Sequence, residues 1–383
     1  MMNFIRQSYN PHPGKFLRRY INSIGMTQLE LATRVQSSPK NINELINGKI
    51  ELSDEMAFKL ELVLGVSAQF WINLETSFRQ ELVRRELIES AKNTPISNYQ
   101  YSWLAKFGFV KQTSIKKMKI EQLSRFFGTV SLPEYGKMIT QQYAFRSKEN
   151  FCPESMMVWL RVGDKISEPL LSQVSSHPTK SEIKQTFSTI KNITNKSPID
   201  YLSFIQDELL KIGIIIVYIP YISKCGVRGV TKWINKKPVI YLSDHGKKLD
   251  GILFTLAHEL GHIGLDHSKK KPFISYDYDN DIVSNIPEEQ AADTFAQELI
   301  LPQDEIDTLQ KMTFFSHELN QIVQRLSSQY KTRPDLILGR LAYEKIIDWK
   351  NYQKSRETVT FEEMFKENIP PTPSKNIYQS TPK

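Results

Sequence analysis

The chain is 383 residues long, which makes two or more domains the expectation. Apolar residues make up 40% and aromatics 11%, enough for real cores, so intrinsic disorder of the bulk is excluded. The formal charge of +8 is compatible with nucleic-acid contact but is unevenly spread: residues 1–80 carry +2, residues 81–150 carry +6, and residues 151–383 carry none of it.

In chain order, residues 11–90 are dense in helical periodicity with short turns. Residues 95–200 remain mostly helical, with polar joints such as Asn93-Thr94-Pro95. Ile214–Ile219 and Val239–Leu242 are short β-branched runs that read as strands, and residues 250–302 return to helices. The stretch from Glu367 to Lys383 is rich in proline and polar residues and reads as a disordered tail. No apolar run approaches the roughly 18 residues of a membrane span. The first twenty residues hold no apolar core of a secretory signal. Cys152 and Cys225 are too far apart in sequence for a disulfide framework or a thiolate zinc site, so a cytoplasmic protein with no membrane partner is expected. The fold class expected is mainly α with a small β-sheet (α+β).

Residues 27–48 carry the first motif. Thr27 is placed to cap a helix, with Glu30 at the capping-box position. Ser38 can cap a second helix with Pro39 in its first turn, and Asn47-Gly48 closes it. Ile42, Leu45 and Ile46 then face a core, leaving Lys40, Asn41 and Asn43 outward near the helix N-terminus. That is the end that enters the major groove in helix-turn-helix proteins, where asparagine can read adenine. Gln28 and Lys49 are placed to touch phosphates. The alternative is a plain helical scaffold with a solvated polar face. Residues 11–76, from His12-Pro13-Gly14-Lys15-Phe16-Leu17 to Leu64-Gly65-Val66-Ser67-Ala68-Gln69-Phe70-Trp71-Ile72-Asn73-Leu74, resemble the HigA antitoxin branch of the Cro/cI-like regulators. The resemblance implies binding to double-stranded DNA and a possible homodimer through this domain. Two positions depart from the pattern: Gln36 stands at the turn where the family usually has glycine, and Glu44 adds a negative charge to the second helix.

The second motif is His258-Glu259-Leu260-Gly261-His262. Apolar residues at 253, 256, 257, 260 and 263 place it on a buried helix, with Asp250 as candidate N-cap. Histidines at i and i+4 share one face and suit a single Zn²⁺, while Glu259 can serve as general base. The alternative is a pair of surface histidines. A second helix reads from Pro287 to just before Pro302, with Glu289, Asp293 and Ala296 on one face and a small Ala292 for close helix approach. Glu289 can complete a His₂Glu site, Asp293 can fix the tautomer of a ligand imidazole, and Glu288 reads as a solvated first-turn acid. The offset of His267 from His262 puts it off the ligand face. Only Tyr276 and His267 stand out as candidates to stabilise an oxyanion, and the Val239–Leu242 strand offers an edge for an extended substrate.

Residues from about Trp159-Leu160-Arg161 to Pro302, including Lys237-Pro238-Val239-Ile240-Tyr241-Leu242-Ser243, resemble the ImmA/IrrE metallopeptidases, a gluzincin-like family associated with cleaving helix-turn-helix repressors. The resemblance implies one Zn²⁺ on His258, His262 and Glu289, with Glu259 catalytic. Four segments are expected: a helix-turn-helix domain over 1–80, a helical linker over 81–195, a zinc metallopeptidase domain over 196–350, and a C-terminal segment over 351–383. The linker's aromatics, among them Tyr99, Tyr101, Trp103, Phe107, Phe126 and Phe127, lie among lysines. They admit two readings, an extended basic DNA surface or helices with aromatic cores. The function expected is a DNA-binding regulator joined to a zinc endopeptidase that cleaves a repressor- or antitoxin-like protein. The alternative is a HigA-like repressor or antitoxin whose zinc domain senses or binds without proteolysis.

Overall fold

Short caps and turns cut the first ninety residues into helices. In the computed structural model, which describes residues 12–90, 94–142, 152–174, 177–194, 196–267, 273–276, 286–312, 318–348 and 356–370, the chain divides between Thr94 and Pro95 into two units. The first holds α1 (Pro13–Ser23), α2 (Gln28–Arg34), α3 (Pro39–Ile46), α4 (Asp54–Leu64) and α5 (Ala68–Ser90). Thr27 caps α2, accepting from the Glu30 N–H, and Ser38 caps α3, accepting from the Asn41 N–H with Pro39 behind it. The capping box at Thr27 is not completed, because the Glu30 carboxylate accepts from Arg34 at 2.6 Å instead. Gln36 takes the left-handed conformation, φ +52°, that the missing glycine would have adopted freely. Gly48, at φ +74°, ends α3 as expected. Leu17, Ile21, Leu31, Ile42, Leu45, Leu60 and Trp71 form this unit's core.

The second unit is built on a four-stranded sheet ordered β1-β3-β2-β4, with β1 (Ile215–Ile219), β2 (Val227–Ile234), β3 (Lys237–Ser243) and β4 (Phe273–Tyr276). β1 runs parallel to β3; β2 is antiparallel to both β3 and β4. The expected edge at Val239–Leu242 does not exist. β3 is interior, its ladder used on one side by β1 and on the other by β2, so it has no free edge for a substrate strand. The sheet turns from β2 to β3 through Asn235 and Lys236, both at positive φ (50° and 64°), the requirement of a tight type I′ hairpin.

Alternation along the strands splits the core in two. Ile216, Tyr218, Ile240 and Leu242 face a helical layer of α10 (Lys180–Lys191), α11 (Pro198–Lys211), α12 (Leu249–Gly264), α13 (Pro287–Ile300), α14 (Gln303–Gln310), α15 (Leu319–Tyr330) and α16 (Pro334–Tyr343). Ile215, Val217, Val239 and Tyr241 face the other way, onto α6 (Tyr101–Lys106), α7 (Lys116–Phe127), α8 (Leu132–Gln142) and α9 (Pro153–Ser167). Tyr99, Tyr101, Phe107, Phe126 and Phe127 are buried in that second cluster. These aromatics therefore form a core on the sheet rather than a stacking surface for nucleic acid. Several neighbouring cations also have local partners: Lys106 pairs with Glu362, Arg125 with Glu121, and Lys119 lies over the Tyr101 ring.

Residues 356–370 return to the sheet. Leu249 N–H donates to the Glu357 carbonyl and Val359 N–H to the Lys247 carbonyl, and α17 (Glu362–Asn368) buries Phe365 in the aromatic cluster. Asp250 does not cap α12. It lies inside the first turn and takes a two-point bond from Arg356, whose Nε and Nη2 donate at 3.0 and 2.8 Å, while Lys248 occupies the N-cap position. Of the expected disordered tail, Glu367–Pro370 falls within the ordered segment and residues 371–383 lie outside the described residues. No helix among the described residues is long and apolar enough to cross a membrane.

Candidate functional site

The histidine helix is buried along nearly its whole length, so its polar groups need partners within the fold. α12 crosses α13 where two small residues meet: a Cβ on Gly261 would lie 3.1 Å from both Cα and the carbonyl oxygen of Ala292. That close approach brings the carboxylate of Glu289 to the two imidazoles. Glu289 Oε2 lies 3.2 Å from His258 Nε2, and Glu289 Oε1 lies 3.5 Å from His262 Nε2. The two Nε2 atoms are 3.0 Å apart. His258, His262 and Glu289 are exposed by only 3%, 0% and 5%. Glu288, one residue earlier, is exposed.

Each ring is also held from behind. His258 Nδ1 lies 2.7 Å from Asp293 Oδ1, and His262 Nδ1 lies 3.3 Å from His267 Nδ1. His267 is therefore set against a ring of the cluster, a place its spacing along the helix did not suggest. The Tyr276 side chain lies outside the described residues. Burial disfavours a charged His258, but the bond to Asp293 and the nearby carboxylates of Glu289 and Glu259 outweigh it and push it up to about 10. His262 is pushed down to about 2 by burial, with His258 and His267 adding to the effect.

These donors fit a cation. One ligand atom from each of His258, His262 and Glu289 lies within 4.8 Å of the others, and among the described residues buried Glu289 Oε2 accepts no hydrogen bond of good geometry despite its nearness to His258. Two imidazoles and a carboxylate are the donor set of catalytic zinc sites. Glu259 is fully buried on the sheet side of α12, where its Oε2 accepts from Thr231 Oγ1 at 2.5 Å. Thr231 has no mark in the sequence, because a single threonine on a strand carries no local signal.

In the first unit, Lys40, Asn43 and Lys49 are exposed and Gln28 is half-buried. Asn41 is not turned outward: it is half-buried and its amide donates to Ser37 Oγ at 2.9 Å. Asn43 accepts from Asn47 along the same helix at 2.9 Å.

The first unit has the helices of a DNA-binding helix-turn-helix, and the second has a buried His-His-Glu group able to bind a metal. Comparison with known families agrees with both. Residues 17–71 match the helix-turn-helix family and residues 211–333 match the IrrE N-terminal-like domain of the M78 peptidases. The chain therefore carries a helix-turn-helix domain near its N-terminus and, further on, a domain of the IrrE-like M78 peptidase type. Over 93 residues it is 28% identical to the uncharacterized HTH-type transcriptional regulator YddM of Escherichia coli (strain K12), covering 24% of this chain and 92% of the relative. It is 29% identical over 76 residues to the virulence-associated protein I of Dichelobacter nodosus, covering 20% of this chain and 70% of that protein.

Proposed function

We propose that the second unit is a zinc-dependent endopeptidase and that the first directs it, or its regulatory effect, to DNA. The observation that carries this reading is the convergence of His258, His262 and Glu289 within 4.8 Å, one residue from buried Glu259. His258, His262 and Glu289 would hold a single Zn²⁺. When bound, the ion would polarise a substrate carbonyl and acidify water, the chemistry common to hydrolytic zinc sites. The residues of the chain do the rest. Asp293 holds the His258 ring with Nε2 facing the cluster, and His267 lies against the back of His262. Glu259 takes the proton from the attacking water and delivers it to the leaving amine.

The substrate we infer is a regulatory protein of repressor or antitoxin type, and the protein works in the cytoplasm. On the DNA side, exposed Lys40 and Asn43 at the start of α3 meet base edges, with Gln28 and Lys49 on phosphates. Asn41 acts as a prop for the turn through Ser37. A homodimer through this unit, as in HigA-like proteins, would present two such helices to half-sites one helical turn apart. The near-complete burial of the site favours a second reading, in which the metal is sensed and no peptide is cut.

The test is metal analysis of the full-length protein combined with incubation against regulatory proteins encoded beside its gene. One zinc per chain and a cleaved neighbour support the endopeptidase. One zinc with every neighbour intact leaves the sensing reading in its place.

A further inference from the structure

We propose that Thr231 is the positioning residue for Glu259, fixing the carboxylate in one rotamer through its hydroxyl. This rests on the peptidase reading of the site. Thr231 sits in β2 with Gly229 on the same face of the strand, two residues away, and both meet α12. Thr231 and Glu259 are each 0% exposed, so bulk solvent does not compete for the bond between them. Thr231 Oγ1 donates to Glu259 Oε2 at 2.5 Å, at the short end of the range for hydroxyl donors. The same oxygen lies 3.1 Å from the Glu259 backbone carbonyl. A hydroxyl has one proton, and the shorter contact, to the carboxylate oxygen, takes it.

The other carboxylate oxygen has its own constraint. A Cβ on Gly229 would lie 2.4 Å from Glu259 Oε1 and 2.8 Å from Thr255 Cγ2. Only glycine leaves room there for the carboxylate. One strand therefore supplies both the space for Oε1 and the hydrogen bond to Oε2. A carboxylate fixed in this way loses no rotamer freedom when it moves a proton, which is the advantage of a preorganised base. A threonine that merely satisfied itself on the helix carbonyl would leave the carboxylate to other partners, and the two roles differ in a measurable way.

The experiment compares Thr231→Val, which keeps the shape and loses the hydroxyl, with Thr231→Ser, which keeps the hydroxyl. In the metal-free full-length protein, the infrared difference between wild type and Glu259→Gln isolates the Glu259 carboxyl band. We expect Thr231→Val to shift that band and Thr231→Ser to leave it in place. An unshifted band in Thr231→Val overturns the proposal, whatever the activity does. In the zinc-loaded protein, with a cleaved neighbouring regulator as substrate, Thr231→Val should lower kcat about tenfold or more with KM and zinc affinity unchanged, and Thr231→Ser should recover it. A fall in zinc affinity matching the fall in kcat also overturns it, since the role would then be structural. A shifted band in a protein that cleaves nothing upholds the positioning and removes the peptidase reading. If Thr231→Val does not fold, Thr231→Ala carries the same measurements.

Discussion

Asp293 Oδ1 stands 2.7 Å from His258 Nδ1, and the opposite nitrogen of that ring lies 3.2 Å from Glu289 Oε2. One imidazole is thus held between two carboxylates that come from successive turns of α13. Asp293 orients the ring while Glu289 shares the pocket with it. Asp293→Ala should therefore weaken zinc binding about 10- to 100-fold while the chain remains folded. Chelator competition with a zinc dye measures this directly.

Proton release on metal binding should be equally clear. In the metal-free protein His258 keeps its proton up to about 10, so a cation must displace it at neutral pH. The sign follows: acid favours the protonated, metal-free form, and apparent zinc affinity should climb with pH by about tenfold per unit between pH 6 and 8. Titration calorimetry in buffers of different ionisation enthalpy should show about one proton released per zinc.

The turn of the DNA-binding unit stores strain at Gln36, held at φ +52°. A left-handed non-glycine residue costs about 1–2 kcal/mol, although glycine gives some of that back as unfolded-state entropy. Gln36→Gly should stabilise the first unit by about 1 kcal/mol and raise its melting temperature by a few degrees. Thermal unfolding followed in the full-length chain tests it.

A fourth expectation concerns Lys191, whose Nζ donates to the Leu299 carbonyl at the end of α13 at 2.7 Å. Burial pushes this lysine down to about 8 from the ordinary 10.5. Between those values the unfolded chain binds a proton that the native protein does not, so stability should rise with pH from about 8 to 10. Below pH 8 both states are charged and the penalty is fully present. Lys191→Met should remove most of that rise, read as urea midpoints across the window.

The legible parts of this molecule were those written in local periods. His258 and His262 stand one turn apart on an apolar helix, and Glu289 was separable from Glu288 by helical face; the structure buries the first and exposes the second. Thr27 and Ser38 cap the helices that their positions suggested. β2 was not legible, because Gly229 and charged Arg228 and Lys232 break its apolar alternation and its turn uses Asn235-Lys236 without glycine. Asp250 looked like a cap by local rule, but Arg356, 106 residues away, claims its carboxylate. The Thr231–Glu259 bond and the His267–His262 contact are tertiary pairings that no spacing encodes.

The most direct measurement of the central claim is the cleavage rate of Glu259→Gln against wild type, both loaded with zinc and given the same neighbouring regulatory protein. The account predicts that the variant keeps one zinc per chain and loses cleavage by at least about a hundredfold, since the group that moves the proton is gone. Cleavage by Glu259→Gln at the wild-type rate would contradict it.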